Sequence, residues 1–116
     1  MHKLLIALLP LFFLSCKENA STDSHRDMEA IAKDYVHLGL VIGQYDEAFV
    51  DAYYGPDSLK PTTPKAAVFP KDSLLTAVRT LKAEVDALAL ADSTNHRAAW
   101  MSDQLIAFDR RIRIFS

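Results

Sequence analysis

The stretch Tyr45–Pro56, YDEAFVDAYYGP, concentrates the side chains best suited to chemistry. Asp46, Glu47 and Asp51 lie in it beside Tyr53 and Tyr54. Neighbouring carboxylates do acid–base work when their surroundings push their pKa values apart. The simpler reading makes Asp46 a helix N-cap, Glu47 a first-turn acid and the acids a solvated face. Adjacent helical residues point about 100° apart. One of the two tyrosines then packs inward while the other faces a cleft. Tyr53, Tyr54 and Asp51 are the candidate contacts for a substrate.

Metal, nucleophile and phosphate chemistry find less support. Outside the N-terminal segment the histidines are His25, His37 and His96, and none pairs with another at a spacing of three or four. A zinc site needs three or four ligands, so no cofactor is expected in this chain. Asp34 and His37 are read as a surface hydrogen bond. There is no Gly-x-Ser-x-Gly elbow and no glycine-rich phosphate loop. A net charge of -2 and a short cluster of Arg110, Arg111 and Arg113 give no nucleic-acid surface. That cluster suits a helix C-terminus.

Cys16 is the only cysteine among the 116 residues. It follows a basic start (Lys3), an apolar run Leu4–Leu14 interrupted by Pro10, and Ser15. Such a run is a secretory signal, too short to span a bilayer. Residues 1–15 are therefore set aside from the fold. The boundary resembles the lipobox of bacterial lipoproteins, in which the cysteine becomes the lipidated first residue. That resemblance implies a diacylglyceryl group and usually an N-acyl chain such as palmitate, enough for stable anchoring where one chain is not. The alternative is a plain secretory signal with an incidental cysteine. Lys17-Glu18 is similar to the lysine-plus-acid signal of surface-exported lipoproteins. The expected location is the bacterial cell envelope, at the outer membrane on its periplasmic or surface face.

Residues 16–24 form the lipidated cysteine and a polar tether. Residues 25–116 form a helical domain. Helix one is expected from near Ser24, with Asp27 completing an imperfect capping box. Met28, Ile31, Tyr35, Leu38, Ile42 and Tyr45 make one stripe. Ala32, Val36, Gly39, Leu40 and Gly43 make a second, small-residue facet that admits another helix. Asp46 is expected to cap a short helix Glu47–Tyr53, with Gly55 left-handed at its end and Pro56 as a stop. A proline-rich connector, its Ala66–Phe69 run lying on the domain, leads to a helix from about Asp72 or Ser73 to Ala91. Leu74, Val78, Leu81, Val85 and Leu88 form its stripe. A last helix from Asn95 or His96 carries Ala98, Met101, Leu105, Phe108, Ile112 and Phe115, with an Asp109–Arg113 pair. No strand pattern is present. The fold class is all-α: an antiparallel bundle of three long helices plus a short one. The two-faced first helix and the apolar ending imply the N-terminal portion of a longer protein.

Leu38-Gly39-Leu40, Val50–Pro56 and Trp100–Phe115 together resemble the N-terminal region of a bacterial family of zinc-dependent peptidase-like hydrolases, with Asp51-Ala52-Tyr53-Tyr54-Gly55-Pro56 the specific piece. In that family a His-Glu pair and a Gly-His-His run lie downstream. Nothing here matches them, so no catalytic or metal residue is carried over. The resemblance implies a non-catalytic leading helical portion of a metal-dependent hydrolase, with zinc only in a full-length relative. The alternative is a self-sufficient helical lipoprotein that binds a protein or envelope component. The partners expected are the lipid bilayer through Cys16, and a missing catalytic part or a partner helix.

Overall fold

The computed structural model describes residues 26–115, and Ser24 and Cys16 lie outside them. All regular structure among the described residues is helical: α1 (Met28–Gly43), α2 (Lys71–Ala91) and α3 (His96–Phe115), with a single 3-10 turn at Asp57–Leu59. The all-α expectation holds. The short fourth helix does not.

Helix α1 starts where Asp27 caps it. The Ala30 N–H donates to Asp27 Oδ1 at 2.7 Å, so Asp27 is the N-cap itself and not the third residue of a capping box. Helix α2 begins at Lys71, directly after Pro70. Asp92 organises the α2–α3 turn by accepting from the Thr94 N–H at 2.9 Å. Asn95 then caps α3, accepting from the Ala98 N–H at 3.0 Å.

Directions follow from the end-to-end contacts. Lys71 Nζ, at the start of α2, donates to the Arg113 carbonyl near the end of α3. Ser102 Oγ donates to Asp86 Oδ1 at 2.5 Å near the opposite ends. The two helices are antiparallel. Arg26, just before α1, reaches Glu84 late in α2 at 3.2 Å, while Tyr35 stacks on Phe108 of α3. Thus α1 runs antiparallel to α2 and parallel to α3. Apolar stripes from all three helices meet in one core whose fully buried members include Ile31, Ile42, Val78, Val85, Leu105 and Ile112. Burying each such side chain contributes roughly 1.5–3 kcal/mol.

The segment after α1 departs most from expectation. Backbone bonds close a single turn at Asp46, where the Phe49 N–H donates to the Asp46 carbonyl. The chain then extends instead of forming a helix over Glu47–Tyr53. The carboxylate of Asp46 is engaged by Arg111 on α3, which ties the turn to the bundle. Val50 packs over Gly43, 3.4 Å from where a Cβ would stand. Tyr45 lies beyond the end of α1, edge-on to Phe69, and accepts from the Ala66 N–H. Of the connector run Ala66–Phe69, only Phe69 packs on the core; Ala66, Ala67 and Val68 are exposed.

Gly55 is not left-handed, since no described glycine has positive φ. Its reason is steric. Tyr53 folds back to donate to the Pro56 carbonyl at 3.0 Å, and its ring fills the space a Cβ on Gly55 would take. His37 does not bond Asp34: its Nδ1 meets the Leu59 carbonyl at 2.9 Å, and Asp34 pairs with Arg26. The expected Asp109–Arg113 pair is present at 2.5 Å.

Two substitutions test this packing. Leu105→Ala is expected to cost about 2–5 kcal/mol, as for other fully buried leucines, read by urea denaturation. Gly39→Ala is expected to stabilise by about 0.5–1 kcal/mol, through helix propensity. A Cβ there meets the Phe108 and Phe49 rings only at ordinary contact distance, 3.7–3.9 Å. Loss of stability in Gly39→Ala would show that α1 needs the glycine for close approach.

Candidate functional site

The second facet of α1 faces α3, but large side chains come between the two helices instead of a close backbone approach. Phe108 from α3 and Phe49 from the corner after α1 lie over Gly39, their rings edge to face at 4.8 Å. Tyr35 stacks on the same Phe108 ring at 5.1 Å and meets Trp100 edge-on at 6.1 Å. Beyond these rings α1 and α3 leave a groove of about 430 Å³. Val36, Gly39 and Leu40 form one wall; Gln104, Ala107 and Arg111 form the other; Val50 and Tyr53 close one end.

Why the groove exists follows from helix directions. Helix α2 packs against both neighbours with its single stripe. Helices α1 and α3, parallel to each other, touch chiefly through large aromatic side chains that hold their backbones apart. The same spacing that places Val36 and Leu40 on the second facet of α1 recurs on α3. Trp100, Gln104, Ala107, Arg111 and Ile114 are separated by alternating steps of four and three. They form one face away from the core stripe.

The corner is fixed electrostatically. Asp46 is 4% exposed, the only charged side chain buried among the described residues. Arg111 holds it in a two-pronged pair, Nε to Oδ2 at 2.5 Å and Nη2 to Oδ1 at 3.0 Å. The Ala48 N–H donates to Oδ1 as well. Arg111 is therefore more than part of a helix-end charge cluster. Its hydrogen bonds hold the Asp46 carboxyl below the usual carboxylate range, against the opposing effect of desolvation. Asp46 stays ionised at neutral pH and has no proton to donate. Burial pushes the Tyr35 phenol up, so it stays neutral.

The candidate contact residues part company. Tyr53 lines the groove. Tyr54 is 97% exposed. Asp51 is exposed at a neighbouring shallow depression shared with Tyr53, Lys60 and Pro61. Glu47 is also exposed, so the three acids do not converge. Among the described residues no three His, Cys, Asp or Glu side chains gather as a metal site would require. A second hollow, between α1 and α2, is bordered by the Arg26 ion pairs to Asp34 and Glu84. Among the described residues no helix is long and apolar enough to cross a membrane.

Phe49, Gln104, Phe108 and Arg111 were not singled out by sequence as site residues. The alternating run on α3 was the available signal. No protein-family model, curated protein or solved structure matches this chain. The groove thus offers apolar walls with an amide, a phenol and a neutralised guanidinium, which suits recognition of shape.

A depressed carboxylate contributes stability that is complete above its unfolded value, about 3.9. That contribution is lost as pH falls through the lower folded value. Asp46→Asn should therefore lose stability at neutral pH, and its stability should fall less steeply than the wild type's below about pH 4. Urea midpoints measured between acid and neutral pH check this. Parallel acid limbs for the two proteins would show that the Asp46–Arg111 pair does not couple to folding.

Proposed function

We propose that this chain is a lipid-anchored helical protein of the bacterial cell envelope that works by docking a helix in the α1–α3 groove. The groove is the observation that carries the reading. Up, down and up describe α1, α2 and α3, and a fourth helix running down between α1 and α3 completes a four-helix bundle. The volume and apolar lining fall in the range of binding sites. Helix-in-groove recognition anchors such a partner through residues spaced three and four apart. The anchor rests on Cys16 at the end of the apolar leader, and places the docking surface at the outer membrane.

A second reading follows the resemblance to zinc-dependent peptidase-like hydrolases. The helices are then a scaffold within a larger helical domain, and a catalytic segment of the same protein fills the groove. In its favour, Tyr53 belongs to the Asp51–Pro56 piece that carries the resemblance, and it lines the groove. A coding sequence that continues past Ser116 into the His-Glu and Gly-His-His segments would select this reading.

Two cellular measurements test the main proposal. A photo-crosslinking residue at Leu40 should form a protein adduct, while the same residue at exposed Ser73 on α2 should not. Absence of any adduct at Leu40 sinks the docking role. Cys16→Ser should move the protein from the membrane fraction to the soluble one; continued membrane fractionation sinks the anchor.

A further inference from the structure

We infer that the partner in the groove is a second copy of this chain, related by a two-fold axis at Ala107. The inference rests on the docking reading above and names the occupant of that same groove. An isologous contact requires a self-complementary surface, and the outer face of α3 is one. A two-fold through Ala107 sets the two α3 helices antiparallel, the direction the groove demands. Residues on the same flank of α3 and at similar distances on either side of Ala107 then come opposite each other. Trp100 meets the copy's Ile114, and these are 53% and 75% exposed in the single chain. On one flank Asp103 meets the copy's Arg110. On the other flank Gln104 meets the copy's Arg111. Each pairing occurs twice.

The chemistry of each pairing fits. Asp103 and Arg110 are both exposed, and among the described residues neither has an intrachain ion-pair partner. Asp103, four residues before Ala107, and Arg110, three after it, share one flank of α3, so the antiparallel pair sets them opposite each other twice. The small side chain of Ala107 at the axis lets the helices approach closely. Val36 and Leu40 of each copy lie beside the incoming α3 and are half-buried in the single chain. Trp100, large and half-exposed, has the character of an interface anchor.

The test uses the full chain extracted in detergent. Sedimentation should show a monomer–dimer equilibrium, and Asp103→Arg should weaken the dimer roughly tenfold or more, because like charges then face each other twice. The double change Asp103→Arg/Arg110→Asp should restore the dimer to near wild-type affinity. With Cys16→Ser as background, Ala107→Cys should join to its own copy through a short bifunctional thiol reagent, and Ser73→Cys should not. A wild type that stays monomeric at all concentrations, or a double change no tighter than Asp103→Arg, overturns the inference. The Leu40 adduct separates the two levels of the claim. An adduct of twice the chain mass supports the second copy. An adduct with a different protein overturns the second copy and leaves the docking role standing. No adduct removes both.

Discussion

A carboxylate withdrawn from water needs a partner of opposite charge and fixed geometry. Asp46 and Arg111 meet that requirement across sixty-five positions of chain. Their pairing closes the loop that carries Phe49, Val50 and Tyr53 onto α1 and α3. Backbone bonds shape the turn after Gly43, the last of them from the Phe49 N–H to the Asp46 carbonyl, and the ion pair ties that turn to α3. The guanidinium fork suits the task, since it binds both carboxylate oxygens and so fixes orientation as well as distance. Lysine would supply the charge without the orientation.

That fixed corner determines what α1 can do with its second facet. Val50 covers Gly43, and the Phe49 ring shares Gly39 with Phe108. The aromatic layer shields the core and also keeps α3 from closing on α1. A bundle of three helices with smaller residues in this layer would collapse into a triangle and have no groove. The cost is exposed apolar surface at Trp100 and Ile114, of the kind that marks an interaction site when it is contiguous. The α2–α3 hairpin bears most of the folding load through its long shared stripe. The α1–α3 side carries little of that load.

Periodicity made the helices legible in advance. The stripes of α2 and α3 predicted Leu74, Val78, Leu81 and Val85 and the buried row from Ala98 to Ile112, because a helix returns to its core face every three or four residues; they missed buried Leu75 and overreached at half-buried Leu88 and exposed Phe115. Local reasoning failed where a residue's partner is distant in sequence. Asp46 has the residue type and position of an N-cap, and only the fold reveals that its carboxylate belongs to Arg111. Gly55 before a proline reads as a left-handed stop, but its need is for the space taken by the Tyr53 ring. The candidate site was half legible. The small-residue facet of α1 was visible, and so was Tyr53 as a candidate contact. The facing wall was missed because Gln104, Ala107 and Arg111 are individually unremarkable in type. They gain meaning as a row only beside Val36 and Leu40, the part of the second face of α1 that stays half-buried.

The parallel disposition of α1 and α3 has a consequence for selectivity. Between two antiparallel helices an incoming helix meets the same average environment in either direction. Between two parallel ones it meets like ends together, so its polarity matters throughout its length. The charge on the groove wall is largely spent within the chain, since Arg111 is already paired with Asp46. Discrimination therefore falls to shape along the groove and to the exposed charges at its edge. Apolar walls tolerate many occupants of similar volume. Edge charges at fixed positions reject those whose own charges fall in the wrong register. Asp103 and Arg110, two turns apart and of opposite sign, accept one polarity and one register of a complementary helix and oppose the reverse. The outer face of α3 presents that complement to a copy of itself.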